Sequence, residues 1–226
     1  MALRQTERLN FQRGNRLTSA PAAEPVTATE LRTQLRTDST DLPDAQANLY
    51  IAEARQELED QTGLALISQS WQLTIDRWPS QREPWWDGVR EGSINDLHGG
   101  GASSLELPRY PLQSITSCTV YDEDSNSTAV TVATTFDVDT QQMPGRLTLQ
   151  RGATWPIALR ANNAIEVVYV SGYGDASSDV PAPLKRAVRS MAAYLYQHRG
   201  DGCDAGDAYQ ASGAAATAGK YKVRKI

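Results

Sequence analysis

Cysteine and histidine are scarce in this 226-residue sequence, which contains two of each. Two cysteines, Cys118 and Cys203, exclude a disulfide-dense scaffold and a four-cysteine zinc site. Neither His98 nor His198 accompanies a Gly-x-Ser-x-Gly turn, and no metal-ligand spacing joins Cys203 to His198. The Gly-x-x-x-x-Gly-Lys-Ser/Thr phosphate loop is also missing. We therefore expect no catalytic residues, no metal site and no cofactor.

Long apolar runs are missing as well. The apolar stretch at 64–67 has four residues, whereas a helix that crosses a bilayer needs about 20. The arginines of the N-terminal segment are not followed by the apolar core of a secretory signal. The sequence therefore predicts a soluble chain with no membrane partner.

The charge is unevenly distributed along the chain. Residues 1–20 carry a net +3 and residues 216–226 a net +4, which leaves −12 for the remainder of a chain of formal charge −5. A duplex-binding domain would instead concentrate Lys and Arg on one folded face. We interpret the basic ends either as arms that dock on other proteins or as frayed, solvated termini.

A short helix is predicted from its start signal. Thr27 and Glu30 have the spacing of a capping box, and Val26 and Leu31 occupy the positions of a hydrophobic staple. Leu31 and Leu35 are one turn apart, so the helix has one apolar edge.

Two longer amphipathic helices are predicted on either side of a β-rich segment. One follows Pro43 and ends at Gly63, which suits a left-handed terminator. The other begins after Asp179 and has a full apolar face. Because such a face needs partners, we expect helices from both ends of the chain to form one helical module. The predicted core of this module consists of Leu31, Leu35, Ile51, Leu58, Leu184, Val188, Met191 and Leu195.

Between these helices the apolar period changes to two residues. Apolar and polar residues alternate over 71–75, as in a strand with one face in water. Further strands are expected at 104–107, 115–121, 128–132, 136–138, 146–149 and 165–170. The predicted fold class is α+β, a small helical module of N- and C-terminal helices with an inserted antiparallel β-domain and extended terminal arms. The expected boundaries are 1–24 for the N-terminal arm, 25–66 for the first part of the helical module, 67–178 for the β-domain, 179–200 for the C-terminal helix and 201–226 for a flexible tail.

Two features of the β-domain are candidates for ligand binding. Asp122, Asp124 and Asn126 have the alternating oxygens of a calcium loop, but the glycine and glutamate that complete such a loop are missing, so a polar hairpin tip is the better interpretation. Trp85 and Trp86 lie in a long loop at 79–103 and suit a sugar platform or a protein contact. Packing of that loop on its own β-domain explains the tryptophans equally well.

Several short motifs follow one another in an order that is more specific than any one of them. They are PVT at 25–27, AEAR at 52–55, GLALISQSW at 63–71, LPR at 107–109, PLQSI at 111–115, PGR at 144–146, WP at 155–156, VYVSGYGD at 168–175 and VPAPLKRA at 180–187. This order, which covers about residues 25–200, resembles the head–tail connector (adaptor) proteins of long-tailed phages and of phage-derived gene transfer agents.

The resemblance implies a structural role and no enzymatic one. Adaptors of this family form a homo-oligomeric, dodecameric ring beneath the portal protein of the filled head and present a platform to a stopper or tail-completion protein. Double-stranded DNA passes through the lumen without sequence-specific binding, and an acidic body would repel its phosphates. The implied location is the head–tail interface of the virion, reached after assembly in the host cytoplasm.

Apolar and basic residues alternate at the C-terminal end, after an Ala- and Gly-rich segment at 201–219. A flexible segment of this kind can bind a groove or sheet edge on a neighbour, and ring symmetry multiplies weak contacts. Its cations would complement an acidic portal surface. The predicted portal-binding residues are Lys220, Tyr221, Lys222, Val223, Arg224, Lys225 and Ile226.

Two other functions stay open at this point. One is a carbohydrate- or protein-binding β module of a virion surface or tail, which would use Trp85 and Trp86. The other is a small hydrolase or metalloenzyme that would depend on His98 or His198.

Overall fold

The computed structural model of the protein describes residues 13–78, 104–150, 152–153, 159–200 and 205–223. Its elements, in chain order, are β1 (Arg13–Ser19), α1 (Ala28–Leu35), α2 (Asp44–Thr62), β2 (Gln69–Ile75), β3 (Ser104–Glu106), β4 (Leu112–Tyr121), β5 (Ser127–Val130), α3 (Val132–Thr135), β6 (Phe136–Asp139), β7 (Arg146–Leu149), β8 (Ile165–Ser171), a 3-10 turn (Ser177–Asp179), α4 (Ala182–Gln197), α5 (Ala205–Ala211) and α6 (Ala214–Ala218). They form a helical module and a β-domain, each with its own buried apolar cluster. The predicted α+β class is confirmed.

The start of α1 has the predicted capping box. The Glu30 N–H donates to the Thr27 hydroxyl at 3.2 Å, and the Thr27 N–H donates to the Glu30 carboxylate at 2.8 Å. That backbone hydrogen bond from Thr27 lowers the pKa of Glu30, because it favours the ionised carboxylate. The helix ends at Arg36, which adopts a left-handed conformation.

The helical module is closed by α4, which packs against both α1 and α2. The eight predicted core residues belong to one cluster, in which seven are buried and Leu35 is partly buried. Gly63 ends α2 in the left-handed conformation expected of it, with φ of 80°. Segments from both ends of the chain therefore share one core.

A five-stranded antiparallel sheet with the order β1-β2-β8-β4-β5 forms one layer of the β-domain. At its centre Trp71 pairs with Tyr169 and Leu73 pairs with Val167, so these buried side chains lie on one face. A three-stranded sheet with the order β3-β7-β6 forms the second layer. Side chains from both sheets, Leu73 and Leu147 among them, join in one cluster.

Three segments differ from the sequence-based expectation. Residues 13–19, expected in an extended arm, form edge strand β1 along β2. Residues 205–218, expected in a flexible tail, form α5 and α6. The strand expected over 128–132 ends at Val130, because Val132–Thr135 turns into the short helix α3.

Candidate functional site

The C-terminal segment, residues 205–223, packs against the helical module. Ala208 and Tyr209 of α5 and Ala214 and Ala218 of α6 are buried in the cluster that also contains α2 and α4. Alanine is the strongest helix former, and its small side chain lets one helix approach another closely. Because glycines accompany these alanines, the sequence of this segment predicts a flexible tail instead. Tyr209, an aromatic residue among small ones, is the signal of packing that sequence reasoning missed.

Of the predicted portal-binding residues that the structure describes, the apolar ones are partly buried and the basic ones are exposed. Tyr221 and Val223 are partly buried against the helical cluster, whereas Lys220 and Lys222 are exposed. The apolar half of the alternation therefore contacts this chain's own module, and the basic half faces solvent. Arg224, Lys225 and Ile226 lie outside the described residues.

Tyr110 holds the segment in place. Its hydroxyl donates to the carbonyl oxygen of Thr62 at the end of α2 and accepts the N–H of Val223 at 3.2 Å. Burial raises the pKa of nearby Tyr173 to about 12, and the hydroxyls of Tyr221 and Tyr110 add to that shift. We call Tyr110, Tyr173 and Tyr221 the tyrosine cluster. The phenol of Tyr173 therefore stays neutral at pH values at which an ordinary tyrosine ionises.

Two glycines allow the close approach of backbone at this point. A Cβ on Gly63 would lie 3.0 Å from a ring carbon of Tyr110, and φ of 80° favours glycine there. A Cβ on Gly172 would lie 2.6 Å from the carbonyl carbon of Ile67. The end of α2 therefore lies against Tyr110, and the end of β8 lies against the segment before β2, with no space for a larger residue at either glycine.

A buried polar network joins the helical module to the β-domain, and we call it the junction network. Glu59 accepts hydrogen bonds from Arg55, from the N–H of Leu66 and from the amide of Gln69, each at 2.8 Å. Arg55 also donates to Glu24 at 2.8 Å. Burial raises the pKa of Glu59, and Arg55 and the Leu66 N–H oppose that shift.

Arg109 extends the junction network from the β-domain side. It donates to the carbonyl oxygen of Glu59 at 2.7 Å and to the carboxylate of Asp60, and its guanidinium lies 4.5 Å from the ring centre of Trp71. The burial of Glu59 was not foreseen from the sequence. The i,i+4 spacing of Arg55 and Glu59 was the available signal.

The described residues contain no group of three or more His, Cys, Asp or Glu side chains placed to hold a metal ion. Cys118 is buried, and burial raises its thiol pKa to about 12, so the thiol is not reactive near pH 7. Asp122 accepts from the N–H of Asn126 at 2.8 Å and closes the β4–β5 hairpin, as expected of a polar tip.

Several candidate residues lie outside the described part of the chain. These are Trp85, Trp86, His98 and Cys203. The ring nitrogen Nδ1 of His198 lies 2.9 Å from the carbonyl oxygen of Tyr194 at the end of α4. No helix among the described residues is long and apolar enough to cross a membrane.

Neither a protein-family profile nor a curated protein sequence matches this chain. Solved structures of gene transfer agent (GTA) particles contain chains of the same fold. One is the neck of an empty particle computed with C6 symmetry, with a TM-score of 0.71, 21% identity, and coverage of 94% of this chain and 97% of that chain.

A second is the virion of the native particle, with a TM-score of 0.68, 23% identity, and coverage of 94% and 96%. A third is the neck of the native particle computed with C12 symmetry, with a TM-score of 0.63, 23% identity, and coverage of 93% and 97%. The likeness extends over nearly the whole of both chains and is one of fold. The family resemblance of the motif order is confirmed at that level.

Proposed function

We propose that this chain is a structural component of a virion neck, an adaptor that forms a ring between head and tail. The observation that carries this proposal is the shared fold over 93–94% of this chain and 96–97% of the neck and virion chains. A match of that extent includes both the helical module and the β-domain. Function does not follow from fold alone, but the described residues offer no competing group of metal ligands.

The cyclic symmetry of the similar necks supports a ring of identical copies, twelve in our proposal. A closed ring needs a heterologous contact, in which one face of each copy meets a different face of the next. A net charge of −5, with −12 between the two basic ends, suits a lumen through which DNA passes without binding.

The packing of the C-terminal segment supports a more specific proposal for how it would bind a portal protein. Tyr221 and Val223 hold the segment on its own module, and Val223 is fixed to Tyr110. Lys220 and Lys222 are exposed beside this attachment. We propose that these lysines, together with Arg224, Lys225 and Ile226, contact the portal, while Tyr221 and Val223 set where the contact begins.

Removing the gene from a cell that produces the particles tests the neck assignment. We expect filled heads and free tails that do not join, seen by negative-stain electron microscopy, and we expect the full chain supplied in trans to restore joining. Tails attached normally to heads in particles that lack the chain would contradict the proposal.

Variants of the exposed lysines test the portal contact. The double substitution Lys220→Glu with Lys222→Glu should leave folding unchanged and reduce binding of the chain to heads that carry a portal. The double substitution Arg36→Glu with Arg199→Glu, which reverses two other exposed cations of the helical module, is the matched control. Truncation after Gly200 is a poor test because it removes the buried residues of α5 and α6. Equal binding of the double variant and the control would refute the contact.

A further inference from the structure

The exposed surface of the helical module has two faces of opposite charge. On α2, Leu49 is 71% exposed, and Glu53 and Gln56 are exposed on the same side. We call the exposed side of α2 formed by Leu49, Glu53 and Gln56 the acidic ridge. On α4, Lys185, Arg186 and Arg189 form what we call the basic strip, which lies between α1 and α6.

Within the described residues the charges of both faces are largely free of ion-pair partners, although Arg186 and Arg189 donate hydrogen bonds to Thr217 and Gln34. Asp44 and Asp60 of α2 pair with Arg32 and Arg109, but neither Glu53 nor Glu57 forms an ion pair among the described residues. The described residues also give no ion pair to Lys185, Arg186 or Arg189, although Glu30 lies near enough for Lys185 and Arg189 to help lower its pKa. With Glu30 counted, the strip keeps an excess of two positive charges, and α2 has two carboxylates without an ion pair, Glu53 on the ridge and the half-buried Glu57 one turn further along.

The two faces point away from each other. Successive residues of a helix are about 100° apart, so two residues turn it by about 200°. Leu49 precedes the buried Ile51 by two residues, and Arg186 precedes the buried Val188 by two. Ile51 and Val188 lie in the cluster through which α2 and α4 pack together. The ridge and the strip therefore lie on nearly opposite sides of the module.

Opposed and complementary faces are what a ring requires. Neighbouring copies in a twelvefold ring differ by a rotation of about 30°, so the two contact faces of one copy must be nearly opposite. Complementary charge also fixes which face meets which, and an exposed leucine supplies an apolar anchor at the centre of a contact.

We infer that both faces bind further copies of this chain, one neighbour on each face. The acidic ridge of one copy docks on the basic strip of the next. Leu49 packs between the two modules, with Glu53 facing the cations of the neighbour. The inference rests on the proposed ring and names the surfaces that close it.

Two single charge reversals test the contact, measured by sedimentation velocity and native mass spectrometry on the full chain. Glu53→Arg and Arg186→Glu should each weaken self-association by roughly tenfold or more, because like charges then face each other. Glu123→Arg changes the same charge at the exposed hairpin tip and should self-associate like the unmodified chain. Leu49→Ser should weaken assembly, whereas Leu17→Ser on strand β1 should not.

Mixing the two reversed chains provides the decisive measurement. The ridge of the Glu53→Arg chain meets the strip of the Arg186→Glu chain at one contact, and the unchanged faces meet at the next. The mixture should therefore form rings that contain both chains in equal number. Full assembly of either variant alone, or no assembly on mixing, would overturn the assigned faces while the ring itself stands. Failure of the unmodified chain to assemble would overturn the ring as well.

Discussion

The helical module and the β-domain are stabilised in different ways. The module joins residues 24–67 to residues 177–200 and 205–223, and it contains a buried carboxylate with a buried guanidinium. The β-domain consists of antiparallel strand pairs over a core cluster that is apolar. The buried polar residues among those described are Arg55, Glu59, Thr62, Gln69 and Ser171, all on α2 or at the strand ends nearest to it. The module therefore depends on a few specific polar links, and the β-domain on register and apolar packing.

Removing the Glu59 side chain should have the largest effect, because it disrupts the polar links on which the helical module depends. We expect Glu59→Ala to lower the free energy of unfolding by about 3–5 kcal/mol, because it leaves Arg55 without its buried partner and removes the acceptor of the Leu66 N–H. Urea unfolding measures the loss, and hydrogen exchange should show it first at residues 64–69. Glu53→Ala, at an exposed position of the same helix, should change the stability of the monomer by less than about 0.5 kcal/mol. Equal losses in the two variants would refute the role of the junction network.

A pair of leucines on α2 separates core packing from surface exposure. Leu58 is fully buried and Leu49 is 71% exposed. We expect Leu58→Ala to cost about 2–5 kcal/mol, because it leaves a cavity in the shared core. Leu49→Ala should cost nearly nothing in dilute solution, where copies do not meet. Calorimetry of the two variants checks this, and a large loss for Leu49→Ala in the monomer would contradict its exposure.

Gly63→Ala tests the contact between α2 and the tyrosine cluster. Left-handed backbone costs a residue with a side chain about 1–2 kcal/mol, and the new Cβ would also press on the Tyr110 ring. Gly213→Ala has φ of 78° with no neighbouring atom within 4 Å, so it isolates the backbone cost. The difference in unfolding free energy between the two variants measures the contact. If the difference is zero, Tyr110 moves aside freely.

The smallest expected effect concerns the start of α1. Thr27→Val removes the hydroxyl of the capping box and should cost about 1 kcal/mol. The lowered pKa of Glu30 means that its contribution is present above the pKa of the unfolded chain and is lost as pH falls through the folded pKa. In the variant the Glu30 pKa should rise only part of the way towards its ordinary value, because the Thr27 N–H, the larger cause of the lowering, still donates to the carboxylate. An NMR titration measures the change. An unchanged pKa would mean that the hydroxyl contributes little.

Local signals predicted much of the fold. The capping box at Thr27, the terminator at Gly63 and the apolar stripe of α4 act within a few residues, so they are readable from sequence. Edge strand β1 was missed because its residues, RGNRLTS, do not alternate and are mostly exposed. Its pairing with β2 is a long-range choice that local propensity does not encode.

The candidate site was less predictable than the fold. The tail alternation indicated two kinds of residue, but the partner of Tyr221 and Val223 is Tyr110 with its neighbours, more than 100 residues earlier. Burial of Glu59 likewise depends on Gln69 and on the backbone of Leu66 returning past α2. Contacts of this kind exist only after the chain has folded, so periodicity cannot show them.

Closure of the module by α4 also has a consequence for synthesis on the ribosome. Chains grow from the N-terminus, and domains fold in that order as they emerge. The apolar stripe of α2 leaves the exit tunnel more than 100 residues before Leu184 and Met191, which cover it. Strands β3 to β7 find antiparallel partners among themselves and can pair meanwhile. A nascent chain therefore exposes the apolar sides of α1 and α2 until α4 has emerged. We expect chaperones to bind these sides rather than strands β3 to β7.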